Sequence, residues 1–275
     1  MASDTSLVFY QNPTIILEGL EDGFPIWSTD FVSRPYIKEP GIFPSTPGSI
    51  FSARNKLTIN APDGYFTGYN RNIDHLRLRL EISDIEATAF STIKVIPRPG
   101  IVEPSHPDAN LSLYKFPHLR IISKIDPGYK YCEISIRIKY TEKAPNLAYK
   151  DHTFILYKDI LFDPQSEELI KYIEPDLFFS HFANSFKNSE DEDLLYRRLT
   201  SFDLIITFGD QYFKDYFNTY YSSEDYGGVP KGNIVNGMGV FSILRSKRVK
   251  GFKFHPECLD SLVDGQYTKH LKFVR

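Results

Sequence analysis

The 275 residues contain only two cysteines, one tryptophan and two methionines, and no catalytic motif. With Cys132 and Cys258 alone, at most one disulfide can form. Two unpaired thiols are the heavier alternative, because nothing in the sequence brings the pair together. No apolar run approaches the roughly eighteen residues a membrane helix needs. The balance of 32 basic and 35 acidic residues leaves a net charge of −3, so there is no electrostatic footprint for nucleic acid. The longest basic cluster, Arg245 to Arg248, reads as a solvated turn.

The motif absences narrow the chemistry. The seven histidines form no His-Glu-x-x-His spacing, and His255-Pro-Glu-Cys258 has no second cluster to complete a zinc site. It reads as a turn. Glu190 to Asp193 lacks the alternation and glycine of a calcium loop. There is no Gly-x-Ser-x-Gly elbow, and Gly237-Met-Gly239 is followed by neither a third glycine nor a helix. The expectation is a protein without cofactor, metal or enzymatic activity.

What the chain has is aromatic residues: 22 Phe and 18 Tyr bring the aromatic share to 15%, which favours sheet. The most legible stretch runs from Phe202 to Phe254. Phe202, Leu204, Ile206 and Phe208 alternate with Asp203, Ile205 and Thr207, the period of a strand. Gly209 ends it and Asp210 is a suitable helix cap. Tyr212/Phe213, Tyr216/Phe217 and Tyr220/Tyr221 then recur every four residues, placing six rings along one side of a short helix. Asn236-Gly237 predicts a tight turn. Met238 to Leu244 and Val249 to Phe254 predict strands flanking an exposed turn at Arg245 to Arg248, with Gly251 interrupting the second.

Elsewhere, Thr14 to Leu17 and Ile26 to Val32 read as strands joined by a turn at Glu21-Asp22-Gly23. Pro35, Pro40, Pro44 and Pro47 mark a long loop, the first candidate for a partner contact. Leu76, Leu78, Leu80 and Ile82 alternate with Arg77, Arg79 and Glu81, the cleanest two-faced strand in the chain. Pro97-Arg98-Pro99-Gly100 is the best domain boundary. Beyond it, Leu119 to Ile125, Tyr129 to Tyr140 and His152 to Tyr157 read as strands, with Cys132 on the core face beside Ile134, Ile136 and Ile138. Glu167 to Ile173 fits either a helical turn or an edge strand.

Short strands and turns at this spacing suggest sandwiches or open barrels. The fold expected is all-β, two β-sandwich-like (immunoglobulin- or fibronectin-like) domains over residues 1–98 and 99–275, with one short helix in the second. Trp27, Tyr36, Tyr65 and Tyr69, in or beside N-terminal loops, are the candidate ligand-binding residues for a glycan or peptide. Ordinary packing of these rings is the competing reading.

The order strand, Tyr-rich helix, then Asn233, Ile234, Asn236, Gly237, Gly239, Val240 and Phe241 resembles the C-terminal signature of an uncharacterised family of Bacteroidota lipoproteins. Leu76 to Ile82 followed by Ile93 to Pro97 is a second, looser match. Met1-Ala-Ser-Asp-Thr reads either as a cytosolic terminus or as the start left after removal of an export signal, and the resemblance favours the second. It implies a lipidated cysteine ahead of this chain, hence an extracytoplasmic, cell-surface protein held at the outer membrane only through that anchor. Genes of the resembled family often adjoin TonB-dependent transporters, which implies an accessory role in ligand capture or docking. A glycan- or host-surface-binding adhesin is the alternative, and a hydrolase whose site assembles only in space the third.

Overall fold

The computed structural model describes residues 13–36, 48–52, 66–68, 71–82, 87–104, 110–114, 119–145, 148–164, 166–186, 195–221, 232–237 and 239–275. Strand outweighs helix among them, 55% against 17%, so the protein is mostly β and carries several sheets. The chain divides into two compact units, Met1–Pro97 with Tyr212–Ile243, and Arg98–Gln211 with Leu244–Arg275.

The first unit holds β1 (Thr14–Glu21), β2 (Phe24–Asp30), β3 (Val32–Tyr36), β4 (Gly48–Ser52), β5 (Phe66–Gly68), β6 (Arg71–Ile73), β7 (His75–Ile82) and β8 (Ala87–Lys94). Its principal sheet has the order β2-β1-β7-β8, all antiparallel, while β3-β4 and β5-β6 form separate hairpins. The alternation in β7 sorts the two faces. Leu76, Leu78 and Leu80 lie opposite Gly19, Leu17 and Ile15 of β1, giving an apolar face. On the other face the nearly buried Glu18 carboxylate accepts from Arg77 at 2.6 Å, with Arg79 at 3.6 Å.

That apolar face is covered over only half its length. Ile73, fully buried, lies on Gly19 so closely that a Cβ there would meet its Cδ1 at 2.5 Å. Leu76 and Ile93 beside it are 7% and 2% exposed. Leu78, Leu80, Ile82, Ala87 and Ala89, toward the other end, are only half-buried.

The second unit holds β9 (Ile101–Glu103), β10 (Asn110–Leu111), β11 (Arg120–Lys124), β12 (Tyr131–Lys143), β13 (Lys150–Phe162), β14 (Glu168–Tyr172), helix α1 (Pro175–Asn184) and β15 (Tyr196–Gly209). Helix α2 (Gln211–Tyr221) falls from Tyr212 onward in the first unit. The second resumes with β16 (Leu244–Phe254), α3 (Pro256–Asp264) and β17 (Phe273–Val274). The large sheet runs β10-β16-β15-β12-β13, with β17 parallel to β15, beside a three-stranded sheet β14-β11-β9. Ile134, Ile136 and Ile138 of β12, with Phe202, Leu204, Ile206 and Phe208 of β15, form a buried face. Phe182 of α1 packs edge-on against Phe154 and Phe273, at 6.0 and 5.2 Å between ring centres.

At the centre of this sheet sits a buried carboxylate. Asp203 is 0% exposed and accepts from Lys139 Nζ at 2.9 Å, Arg248 Nε at 2.9 Å and the Gly251 amide at 3.0 Å. The ladder between β15 and β16 shifts here, and Gly251, at φ 85°, turns its amide into the bulge, a backbone angle that glycine adopts without steric cost. Burial alone would raise the Asp203 carboxyl. The hydrogen bonds from Lys139, Arg248 and Gly251 outweigh it and hold the group below the ordinary aspartate value.

Several expectations change against this structure. The single short helix becomes three among the described residues. α1 was hidden by Pro175, which opens it at a position where the missing N–H costs nothing, and its Phe178, Phe179 and Phe182 are buried. His255-Pro-Glu-Cys258 is the start of α3, with Pro256 in the first turn and the His255 ring accepting from the Glu257 amide. Residues 239–243 are not strand, and Arg245 to Arg248 is not a turn but the interior of β16. Pairing with β15 carries these polar residues into the sheet: the Ser246 and Thr207 hydroxyls meet at 2.7 Å, and Arg248 bonds Asp203. Residues 168–172 form the edge strand β14. Both cysteines are free and buried. Burial first, then the charges of Asp159 and Glu133, pushes the Cys132 thiol up to about 12, so it stays protonated and unreactive.

Asp203→Asn keeps the shape but removes the charge that Lys139 and Arg248 face. It is expected to cost about 2–4 kcal/mol at neutral pH, read as a lower urea midpoint for the second unit. A carboxyl with a depressed folded value stabilises fully above its unfolded pKa near 3.8, and the contribution is lost as pH falls through the folded value. The gap between wild type and variant therefore closes in acid. Equal midpoints at pH 7 contradict the assignment.

Candidate functional site

The open half of the β1-β7-β8 face forms the floor of a groove of about 340 Å³. Leu78, Leu80 and Ile82 lie along it, with Ile15 on one side and Ala87 and Ala89 on the other. Period-two alternation places all of these on one face. The wall comes from far along the chain, from Ile234, Asn236 and Gly237.

This wall belongs to a loop closed on itself. The Asn233 side chain donates to the Phe241 carbonyl at 2.7 Å and accepts from the Phe241 amide at 2.7 Å, while its own amide donates to the Gly239 carbonyl at 3.2 Å. Val235 then forms an isolated antiparallel bridge to Phe90, with N–H to O distances of 2.8 and 3.2 Å. Asn236, in the left-handed region at φ 58°, donates to the Thr88 carbonyl at 3.3 Å. Gly237 sits so near the sheet that a Cβ would meet Ile234 Cγ2 at 2.9 Å and Ala89 Cβ at 3.3 Å. The loop thus covers part of the β8 edge and turns Ile234 toward the sheet's apolar side.

Among the described residues the groove lining carries no ionisable side chain; its polar members are Thr88, Ser91 and Asn236. What it offers a ligand is removal of apolar surface from water, worth about 25 cal/mol per Å², with the few polar groups setting orientation.

None of the four aromatic candidates is among the described residues that line this groove. Trp27 is half-buried on β2 opposite Gly19 and is not among the lining residues. The Tyr36 backbone ends β3 opposite Gly48. Tyr65 and Tyr69 lie outside the described residues, as do 37–47 of the proline-rich loop and Glu190 to Asp193. The groove residues escaped the sequence because alternation says which face of β7 is apolar, not how much of that face is covered. The one available signal was Asn233-to-Phe241 itself, read as a glycine hairpin.

A second concavity, in the second unit, has a volume of about 420 Å³ and is lined by Tyr114, Tyr172 and Glu174 among others. Tyr114 and Tyr172 are 40% and 51% exposed. Among the described residues no three His, Cys, Asp or Glu side chains are grouped to hold a metal ion, and no helix is long and apolar enough to cross a membrane. Comparison with protein-family models, curated proteins and solved structures returned no match.

Asn233→Ala removes both side-chain bonds that help close the loop and leaves the Phe241 amide and carbonyl without that partner. The expected cost is about 1–3 kcal/mol, seen as faster hydrogen exchange at the Val235 and Phe90 amides, with Asn233→Asp intermediate because it still accepts. Unchanged exchange in the alanine variant removes the loop's assigned role.

Proposed function

We propose that this chain is a non-enzymatic binding protein of the bacterial cell surface: a lipid-anchored outer-membrane lipoprotein, accessory to a TonB-dependent transporter, that captures an apolar ligand. In this proposal both units are sandwich-like, in the manner of immunoglobulin or fibronectin modules. The observation that carries it is a coincidence of two independent things. Asn233, Ile234, Asn236, Gly237 and Gly239, which carry the resemblance to Bacteroidota lipoproteins, belong to the loop that walls the groove. A loop that borders the open part of an apolar face is placed to act as a binding wall.

One observation favours a second reading, recognition of a glycan. Tyr114 and Tyr172, both part-exposed, line a concavity that also holds Glu174, and aromatic residues beside a carboxylate suit a sugar's apolar face and its hydroxyls.

The two readings separate in one preparation. Full-length protein extracted from its native membrane in mild detergent is expected to co-purify with an outer-membrane barrel and to give no glycan-array signal. Recovery as a lone monomer contradicts the transporter role. An array signal abolished by Tyr172→Ala replaces it with the glycan reading.

A further inference from the structure

One polar group in the groove has no local use. Ser91 on β8 lies opposite Leu78, lines the groove and is 1% exposed. Its hydroxyl has no hydrogen-bond partner among the described residues. An unpaired buried hydroxyl costs about 1–3 kcal/mol, and such groups are uncommon enough to call for a cause. Here the hydroxyl stands where the open half of the apolar face meets the half covered by Ile73, Leu76 and Ile93, at the inner end of the groove.

From this we infer that the groove takes a single unbranched aliphatic chain ending in an uncharged hydrogen-bonding group, a hydroxyl or a carbonyl, which pairs with Ser91. The lining dictates each part. Leu78, Leu80, Ile82 and Ile15 favour aliphatic contact along the slot. At about 340 Å³, and taking a methylene as close to the ~30 Å³ share of a water, the groove holds roughly ten carbons. Among the described residues the lining has no ionisable side chain, which matches an uncharged end, because a buried carboxylate or ammonium would find no counter-charge among them. Ser91 supplies one donor and two acceptor positions, enough to distinguish a hydroxyl or carbonyl terminus from a bare methyl.

This specifies the ligand in the capture part of the proposed function and is independent of the transporter part. Co-purification with a barrel can fail while chain binding stands, and the reverse.

The test titrates the whole protein with 1-alkanols from hexanol to decanol, following methyl NMR shifts of Ile15 and Leu80, with n-hexane as the chain lacking a polar end. Affinity is expected to rise about three- to fourfold per added methylene. Ser91→Ala is expected to weaken alkanol binding about fivefold and leave hexane binding unchanged. Ala89→Phe, which fills the groove, is expected to abolish both. Should that variant not fold, Ser91→Ala decides alone. A parallel flotation with phosphatidylethanolamine–phosphatidylglycerol vesicles excludes a bilayer: shifts with monomeric alkanols support the inference, while vesicle binding without them contradicts it, because a phospholipid chain ends in a methyl and offers Ser91 no partner. Affinity independent of chain length, equal alkanol binding by Ser91→Ala, or no binding in either arm overturns the inference.

Discussion

A sheet with one apolar face must cover that face or leave it for something else to cover. The principal sheet of the first unit does each along half its length. Where Ile73 presses onto Gly19, Leu76 and Ile93 are removed from water. Where it does not reach, Leu78, Leu80 and Ile82 are left half-buried, and Ile234, Asn236 and Gly237 border the gap. The groove and the ligand proposed for it both descend from that incomplete cover.

The second unit resolves the same problem differently. Its long strands β12, β15 and β16 turn Ile134, Ile136, Phe202, Phe208 and Phe252 to a buried face, and α1 adds Phe178 and Phe182. On its other face the fully buried Asp203 binds Lys139, Arg248 and the Gly251 bulge amide. A lone buried carboxylate is costly, but three donors offset that cost and fix the register of β15 on β16. Sequence position and polar chemistry agree there, and the result is scaffold.

The parts of the fold legible in the sequence are those in which local pattern and tertiary role coincide. Alternation at Leu76 to Ile82 and at Phe202 to Phe208 lies in β7 and β15, and the four-residue recurrence of rings behind Asp210 is α2, where Phe213 meets Tyr216 and Phe217 at 6.4 and 6.2 Å. Illegible were the elements decided by a distant partner. Arg245 to Arg248 has the composition of a turn and becomes strand because Thr207 and Asp203 wait on β15. Pro175 and Pro256 look like breaks and instead begin helices. The groove needed three segments far apart in sequence, β1, β7–β8 and the Asn233 loop. No periodicity within any one of them marks it, whereas the sequence displays aromatics such as Trp27 openly.

The direct test of incomplete cover is a charge placed in turn on each half of the same face. Leu76→Lys buries a cation under Ile73 and is expected to destabilise the first unit by about 3 kcal/mol or more. Leu80→Lys, two repeats further along the same strand, has water within reach of its flexible side chain and is expected to cost no more than about 1 kcal/mol. If urea unfolding instead shows the two substitutions to be equally damaging, the Leu80 half is as covered as the Leu76 half, and neither groove nor ligand survives.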